Sequence, residues 1–225
     1  MKATHWSSLK RIAPLAWPVL VGQLAVLAFS TVDTLMVARY SAVDLAALAV
    51  GGAVFMTVFI GLMGVVLAVS PIVGQLFGAG KMKEVGDTLH QAVWMALGLS
   101  MLGELVLLWP EPFLAMAKTA PEVETRVRAY LHALVYSLPA SLAFTALRGF
   151  NTAVSRPKLV MLLQVAGLLL KIPLNNLMIR GFDLPWPFGP VHVPALGAAG
   201  CAVATSIVMW AQLRGRCADA ARPLL

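Results

Sequence analysis

The sequence has few charged residues and few cysteines. Only 12% of its 225 residues are Asp, Glu, Lys or Arg, about half of the share that a water-soluble domain carries. This composition excludes a water-soluble globular core. The two cysteines, Cys201 and Cys217, have neither the spacing of a metal site nor the number needed for a disulfide framework. We therefore expect no bound metal.

Enzyme motifs are also missing. The chain contains no Gly-rich phosphate loop, no Gly-x-Ser-x-Gly and no cluster of His and Cys. We therefore predict that it is not an enzyme, needs no cofactor and does not itself use ATP to drive transport. A net charge of +7 is common in proteins that bind nucleic acids. Here the basic residues occur at the ends of apolar segments rather than on one surface, so we expect no nucleic-acid partner.

Long apolar runs dominate what remains, because 60% of the residues are apolar. Runs of about 20 residues match the ~30 Å hydrocarbon layer of a bilayer at 1.5 Å rise per helical residue. We predict an all-α membrane protein of six transmembrane helices in one bundle, at about 12–38, 45–70, 88–110, 125–147, 159–180 and 195–213. A Pro-rich loop, Asp183 to Pro194, separates the last two spans.

The bundle is expected to occupy residues 1–213, and residues 214–225 are expected to form a short cytoplasmic tail. The apolar run ends at Leu213 and a basic segment follows, so either six spans suffice or the chain is truncated. Lys and Arg favour the cytoplasmic side of a membrane. With both ends inside, the outer side keeps only Arg39, Lys118, Arg126, Arg128 and Arg180.

Asp33 is the leading functional candidate, because a charged group at membrane depth costs several kcal/mol unless it is paired or wetted. It lies about 21 residues, or roughly 32 Å, beyond Ile12, in the outer half of the first span. One interpretation is a carboxylate that binds and releases a proton or holds Na⁺. The other is an interfacial Asp that hydrogen-bonds a neighbouring helix end. At helical spacing it shares a face with Pro18, Gly22, Val26 and Phe29.

The fifth span carries a polar stripe. Gln164, Lys171 and Asn175 lie on one face of an otherwise apolar helix and should face protein or water. Pro173 removes a backbone donor and frees a carbonyl. The stripe either lines a site for a cation or a bound molecule, or forms ordinary hydrogen bonds between helices, with Lys171 neutral or paired to a carboxylate.

Weaker signals come from the fourth and sixth spans. Thr205 and Gln212 share a face, although a Thr in a membrane helix often bonds its own backbone carbonyl four residues back. His132 and Tyr136, one turn apart, fit a proton relay, but a buried His satisfied by a Tyr hydroxyl is the commoner arrangement.

Several motifs resemble the multidrug and toxic compound extrusion (MATE) family, in its NorM-like branch. Ala13–Pro18, Gly22–Leu24 and Val32–Val37 resemble the family's first helix, and Gly74–Gly80 is similar to its loop after the second. Further similar stretches are Leu147–Gly149, Arg156–Pro157, Lys171–Asn175 and Gly197–Thr205. The resemblance covers about residues 9–210.

The resemblance implies an inner-membrane antiporter that exports cationic or amphipathic drugs in exchange for H⁺ or Na⁺. It places the coupling cation at Asp33, Asn175 and Thr205, with Gln23, Gln164, Lys171, His132 and Tyr136 as candidate cavity-lining residues. Lys171 departs from the family pattern, which usually has Asn there. A fixed cation at this position would replace Na⁺ electrostatically, which favours proton coupling.

The chain has about half of the length and helices of the family. The resemblance therefore covers one lobe, and we expect a second six-helix half or a homodimer to complete the pathway. A flippase of lipid-linked precursors, from the same superfamily, and a non-transporting truncated remnant are the alternatives.

Overall fold

The structure, a computed structural model, describes residues 2–154, 157–186 and 189–220. It confirms the predicted helical membrane fold. The helices are α1 (Lys2–Ala38), α2 (Ala42–Leu67), α3 (Val69–Gly78), α4 (Met82–Leu108), α5 (Glu111–Ala117), α6 (Pro121–Val135), α7 (Leu138–Ala153), α8 (Pro157–Arg180) and α9 (Ala198–Ala220). In the bundle α1 packs on α8, α8 on α9, α9 on α6, and α6 on α2, while α7 packs on α3 and α4.

Four helical segments are long and apolar enough to cross a membrane: Ala16–Ala38, Ala42–Gly78, Met82–Leu108 and Pro157–Arg180. The predicted fourth span corresponds to α6 and α7, a pair bent by 50° that could form a fifth. The predicted sixth span lies in α9, which is outside this set and carries Gln212 and Arg214 in its second half. Length and composition thus support four or five of the six predicted spans within the described residues.

Two boundaries differ from the prediction. The Pro-rich stretch after α8 forms an antiparallel hairpin of β1 (Phe182–Trp186) and β2 (Gly189–Val193), with Pro185 opposite Pro190. Both strands of a two-stranded sheet are edges, where a proline without an N–H is tolerated, and the prolines hid the strands from sequence analysis. The second is the end of α9, which continues to Ala220 rather than ending at Leu213; residues 221–225 of the predicted tail lie outside the described part.

The bend between α6 and α7 follows from Pro139, which has no N–H to donate to the carbonyl of Val135, four residues earlier. Side chains of α9 bind other carbonyls at this break. The Ser206 hydroxyl donates to the carbonyl of Ala133 at 3.1 Å, and the Trp210 indole donates to that of Tyr136 at 2.9 Å. Backbone groups exposed by the bend therefore keep partners where lipid would offer none.

Asp44 ties the start of α2 to the start of α9. Its side chain is buried and accepts a hydrogen bond from the Ala198 N–H at 3.0 Å. The residue before Ala198 is Gly197, with φ +54°, where an added Cβ would lie 2.5 Å from Asp44 Oδ1. A carboxylate at a helix N-terminus is favoured by the helix dipole. The contact sets where α9 begins, and hence how it faces α6 and α8.

Replacing Asp44 with Ala should lower the free energy of unfolding by about 1.5–3 kcal/mol, because the Ala198 N–H loses a charged acceptor. Unfolding in detergent, followed by circular dichroism, measures the change. Asp87→Ala is the matched control: Asp87 is exposed on α4, so its loss should change stability by less than about 0.5 kcal/mol. Equal losses in the two variants would show that the buried contact has no special role.

Candidate functional site

The face of α1 that carries Asp33 packs closely against α8. Pro18, Gly22 and Phe29 on this face are buried, whereas Val26 is exposed. An added Cβ at Gly22 would lie 2.3 Å from Gln164 Oε1. The absence of a side chain at Gly22 therefore lets α1 approach α8 closely where Gly22 faces Gln164.

The predicted stripe of α8 faces the protein interior. Gln164, Lys171 and Asn175 are all buried, as are Val160, Gly167 and Ile179, which occupy the same face at helical spacing. The helix continues through Pro173, which is exposed. The prediction that this stripe faces protein or water rather than lipid is confirmed.

Asp33 meets two members of that stripe. Lys171 Nζ donates to Asp33 Oδ2 at 2.7 Å, and Asn175 Nδ2 donates to Oδ1 at 2.7 Å. The Lys171 side chain is 2% exposed and that of Asp33 is 15% exposed. Each carboxylate oxygen therefore has its own donor, and an ion pair joins α1 to α8 inside the bundle.

The aromatic ring of Phe29 stabilises the ammonium group of Lys171. Lys171 Nζ lies 4.7 Å from the centroid of the Phe29 ring, one turn before Asp33 on α1. An ammonium over an aromatic face gains about 0.5–2 kcal/mol, more when it is desolvated. The carboxylate and the ring together compensate part of the cost of removing the ammonium from water.

Asn175 leaves one acceptor unused. The residue is fully buried, and its Oδ1 has no hydrogen-bond partner among the described residues. A buried acceptor without a partner costs about 1–3 kcal/mol. The oxygen is therefore a ready acceptor for a proton donor, a water molecule or a cation that enters the site.

Two residues that sequence analysis did not assign to the site lie near Asp33. Tyr130 of α6 and Cys201 of α9 are both buried and within electrostatic reach of its carboxyl group. Gly51 of α2 makes room for the Tyr130 ring, since an added Cβ would lie 2.5 Å from its Cδ1. No spacing in the sequence links these residues to Asp33, because each comes from a different helix.

The comparisons with known proteins give one consistent result. The MatE family model matches residues 18–177. The chain is 36% identical over 201 residues to a probable multidrug resistance protein NorM of Neisseria meningitidis serogroup B, covering 88% of this chain and 42% of that protein. It is also 36% identical over 210 residues to the multidrug resistance protein PmpM of Pseudomonas aeruginosa, covering 93% and 42%.

The chain belongs to the MatE family. Its fold is similar to that of the Vibrio cholerae MATE transporter VcmN in the bent form, with a TM-score of 0.81 and 22% identity over 95% of this chain and 47% of that one. The MatE chain spans less than half of the length of the relatives that it matches. The predicted family membership and membrane-transporter fold are thus confirmed.

No hydrogen bond or ion pair to Asp33 is seen for the other predicted site residues of this MatE chain within the described part. Thr205 donates its hydroxyl to the carbonyl of Cys201 at 2.9 Å, the arrangement expected of a Thr within a membrane helix. Gln212 donates to the Leu163 carbonyl on α8 at 3.1 Å. His132 and Tyr136 are exposed, Tyr136 by 71%. Gln23 and Gln164 line a separate cavity.

A double-mutant cycle on Asp33 and Lys171 should reveal strong coupling. Asp33→Asn or Lys171→Met alone should lower the free energy of unfolding by about 3–5 kcal/mol, because each leaves a buried charge without its partner. The double variant should lose less than either single variant, since no charge remains unpaired. Unfolding in detergent measures all four proteins.

Asp87→Asn, combined with Lys171→Met, controls for the loss of one acidic residue at an exposed position. That pair should be additive within about 0.5 kcal/mol, as distant sites usually are. If Asp33 and Lys171 were equally additive, the ion pair would not hold α1 against α8.

Proposed function

We propose that this chain is one lobe of a multidrug efflux transporter that exports cationic or amphipathic small molecules in exchange for protons, with Asp33 as the proton-binding group. The ion pair between Asp33 and Lys171 carries the proposal. The names of the Neisseria and Pseudomonas relatives support drug export. A second six-helix half, or a second copy of this chain, completes the pathway across the bacterial inner membrane.

Proton binding is favoured over Na⁺ binding by the charge already present. The ammonium of Lys171 is 2.7 Å from Asp33 Oδ2, where a bound Na⁺ would also lie. Two cations at such spacing repel each other strongly in a medium of low dielectric constant. A proton instead adds to the carboxyl group itself and needs no additional coordination sphere.

Protonation of Asp33 would alter the balance between conformations of the lobe. A neutral Asp33 no longer stabilises the ammonium of Lys171, which is 2% exposed and lies over the Phe29 ring. A buried charge without a partner costs several kcal/mol. The lobe can relieve this cost by moving α1 relative to α8 and wetting Lys171, which links proton uptake to movement around a drug-binding cavity.

A flippase of lipid-linked precursors is less well supported. Such a transporter needs basic side chains that face a wide cavity and meet a phosphate group. Lys171, the basic residue that suggested this alternative, is engaged by Asp33 and is nearly inaccessible. Drug export therefore remains the proposal, and a non-transporting remnant is the alternative that the next experiment excludes or supports.

Asp33→Asn should abolish dye efflux driven by a proton gradient in proteoliposomes containing the full chain, because the amide cannot take up the coupling proton. The Asp33→Asn/Lys171→Met variant, which restores charge balance, should be folded and equally inactive. That result would separate loss of coupling from loss of stability. Asp87→Asn should transport as the wild type does.

Native mass spectrometry of the reconstituted protein tests whether a second half or a second copy of the chain is bound. Efflux by a strict monomer would show that neither a second half nor a second copy is needed. An inactive wild-type chain that stays inactive when a second MatE half is supplied would favour the remnant and contradict the transport proposal.

Sodium should not stabilise the wild-type chain, but it should stabilise Lys171→Asn. Removing the ammonium leaves Asp33 and the Asn175 oxygen free to coordinate a cation. At a Na⁺ concentration tenfold above Kd the gain would be about 1.4 kcal/mol. Thermal unfolding in NaCl, with choline chloride at equal ionic strength as the control, measures it. Equal stabilisation of both proteins would contradict proton coupling.

A further inference from the structure

A second polar feature of the lobe lies away from Asp33 and has no part in the proposed coupling. It is a cavity of about 200 Å³ between α1, the break from α2 to α3, the end of α7 and the start of α8. Gln23 of α1 lines it, ten residues before Asp33, which corresponds to about 15 Å along the helix. We call it the Arg148 cavity, after the charged residue among its described lining residues.

Arg148 has no acidic partner there. The residue is half-buried, and no carboxylate among the described side chains lies within ion-pair distance of it. A half-buried guanidinium with no counter-charge is costly, and its five N–H donors fit the oxygens of a phosphate or carboxylate.

The remaining lining suits an anion that carries an apolar part. Gln23 and Gln164 contribute amide groups that can donate. The hydroxyls of Ser70 and Thr152 already donate to the carbonyls of Gly149 and Arg148. No Asp or Glu is among the described residues that line the cavity. Most of the wall is apolar, formed by such residues as Val19, Leu67 and Met161. Polar donors around one guanidinium, with apolar walls, match a lipid headgroup and the start of its acyl chains.

The residues around the cavity indicate that the bilayer supplies the molecule bound there. Trp17 and Leu20 on α1 and Leu162 on α8 are large apolar residues with more than half of their surface exposed. Basic residues beside a membrane attract the anionic lipids of its cytoplasmic face.

We infer that the Arg148 cavity is a binding site for a phosphate group, supplied by an anionic phospholipid whose phosphate pairs with Arg148. The inference is independent of the proposed transport function. It gives a role to the Leu147–Gly149 motif, which the Asp33 site leaves without one. A lipid bound there would contact α1, the end of α7 and the start of α8.

Native mass spectrometry of the delipidated full chain tests this inference. The chain is mixed with phosphatidylglycerol, phosphatidylcholine or inorganic phosphate. The wild type should retain one phosphatidylglycerol with about fivefold preference over phosphatidylcholine, a ratio equal to about 1 kcal/mol at 25 °C. Retention of inorganic phosphate with the same dependence on Arg148 would assign free phosphate as the source.

Arg148→Gln should remove the preference, and Arg148→Lys should keep part of it. Lys158→Gln is the matched control, because it removes the same charge from an exposed position close to the cavity, and it should leave the preference nearly unchanged. The inference is overturned if Arg148→Gln retains lipid as the wild type does, or if Lys158→Gln loses as much. Should Arg148→Gln fail to fold, a wild type without headgroup preference overturns it equally.

Discussion

An ion pair between two helices, in surroundings that exclude water, is the constraint on which the candidate site depends. Asp33 and Lys171 are 138 positions apart in the chain and 2.7 Å apart in space. Neither charge is tolerable alone at this depth, so each requires the other to stay where it is. The pair therefore sets both the register of α1 against α8 and the electrostatic state of the site.

The rest of the fold serves to place this pair, mainly by satisfying backbone groups that helix breaks and helix ends leave open. Asp44 accepts from the first N–H of α9, while Ser206 and Trp210 of α9 donate to carbonyls at the bend of α6 and α7. Helix α9 is thus held at its start and along its length. Because α9 also packs against α8, these contacts support the helix that carries Lys171 and Asn175.

Lys171 and Arg148 differ in their burial and in whether a carboxylate is paired with them. Lys171 is nearly inaccessible and is paired with Asp33 beside the Phe29 ring, whereas Arg148 is half-buried and lacks a described carboxylate partner. The first arrangement is closed to an incoming anion, and the second invites one. Lys171 lies on α8 and Arg148 near the end of α7, so the two charges are held on different helices.

Composition and periodicity determined the main architecture by themselves, because the bilayer allows few alternatives to an apolar helix. They also predicted that Gln164, Lys171 and Asn175 share an inward face, since that follows from helical spacing alone. They did not predict the β1–β2 hairpin, whose prolines mask its pattern. They placed six spans, of which four or five are long and apolar enough in the described residues to cross a membrane. Only the tertiary structure decided that Lys171 faces Asp33, that Thr205 bonds its own helix and that Tyr130 and Cys201 lie near the carboxylate. These facts depend on which helices are neighbours and at what rotation, and that is set by distant contacts such as Gly22 against Gln164.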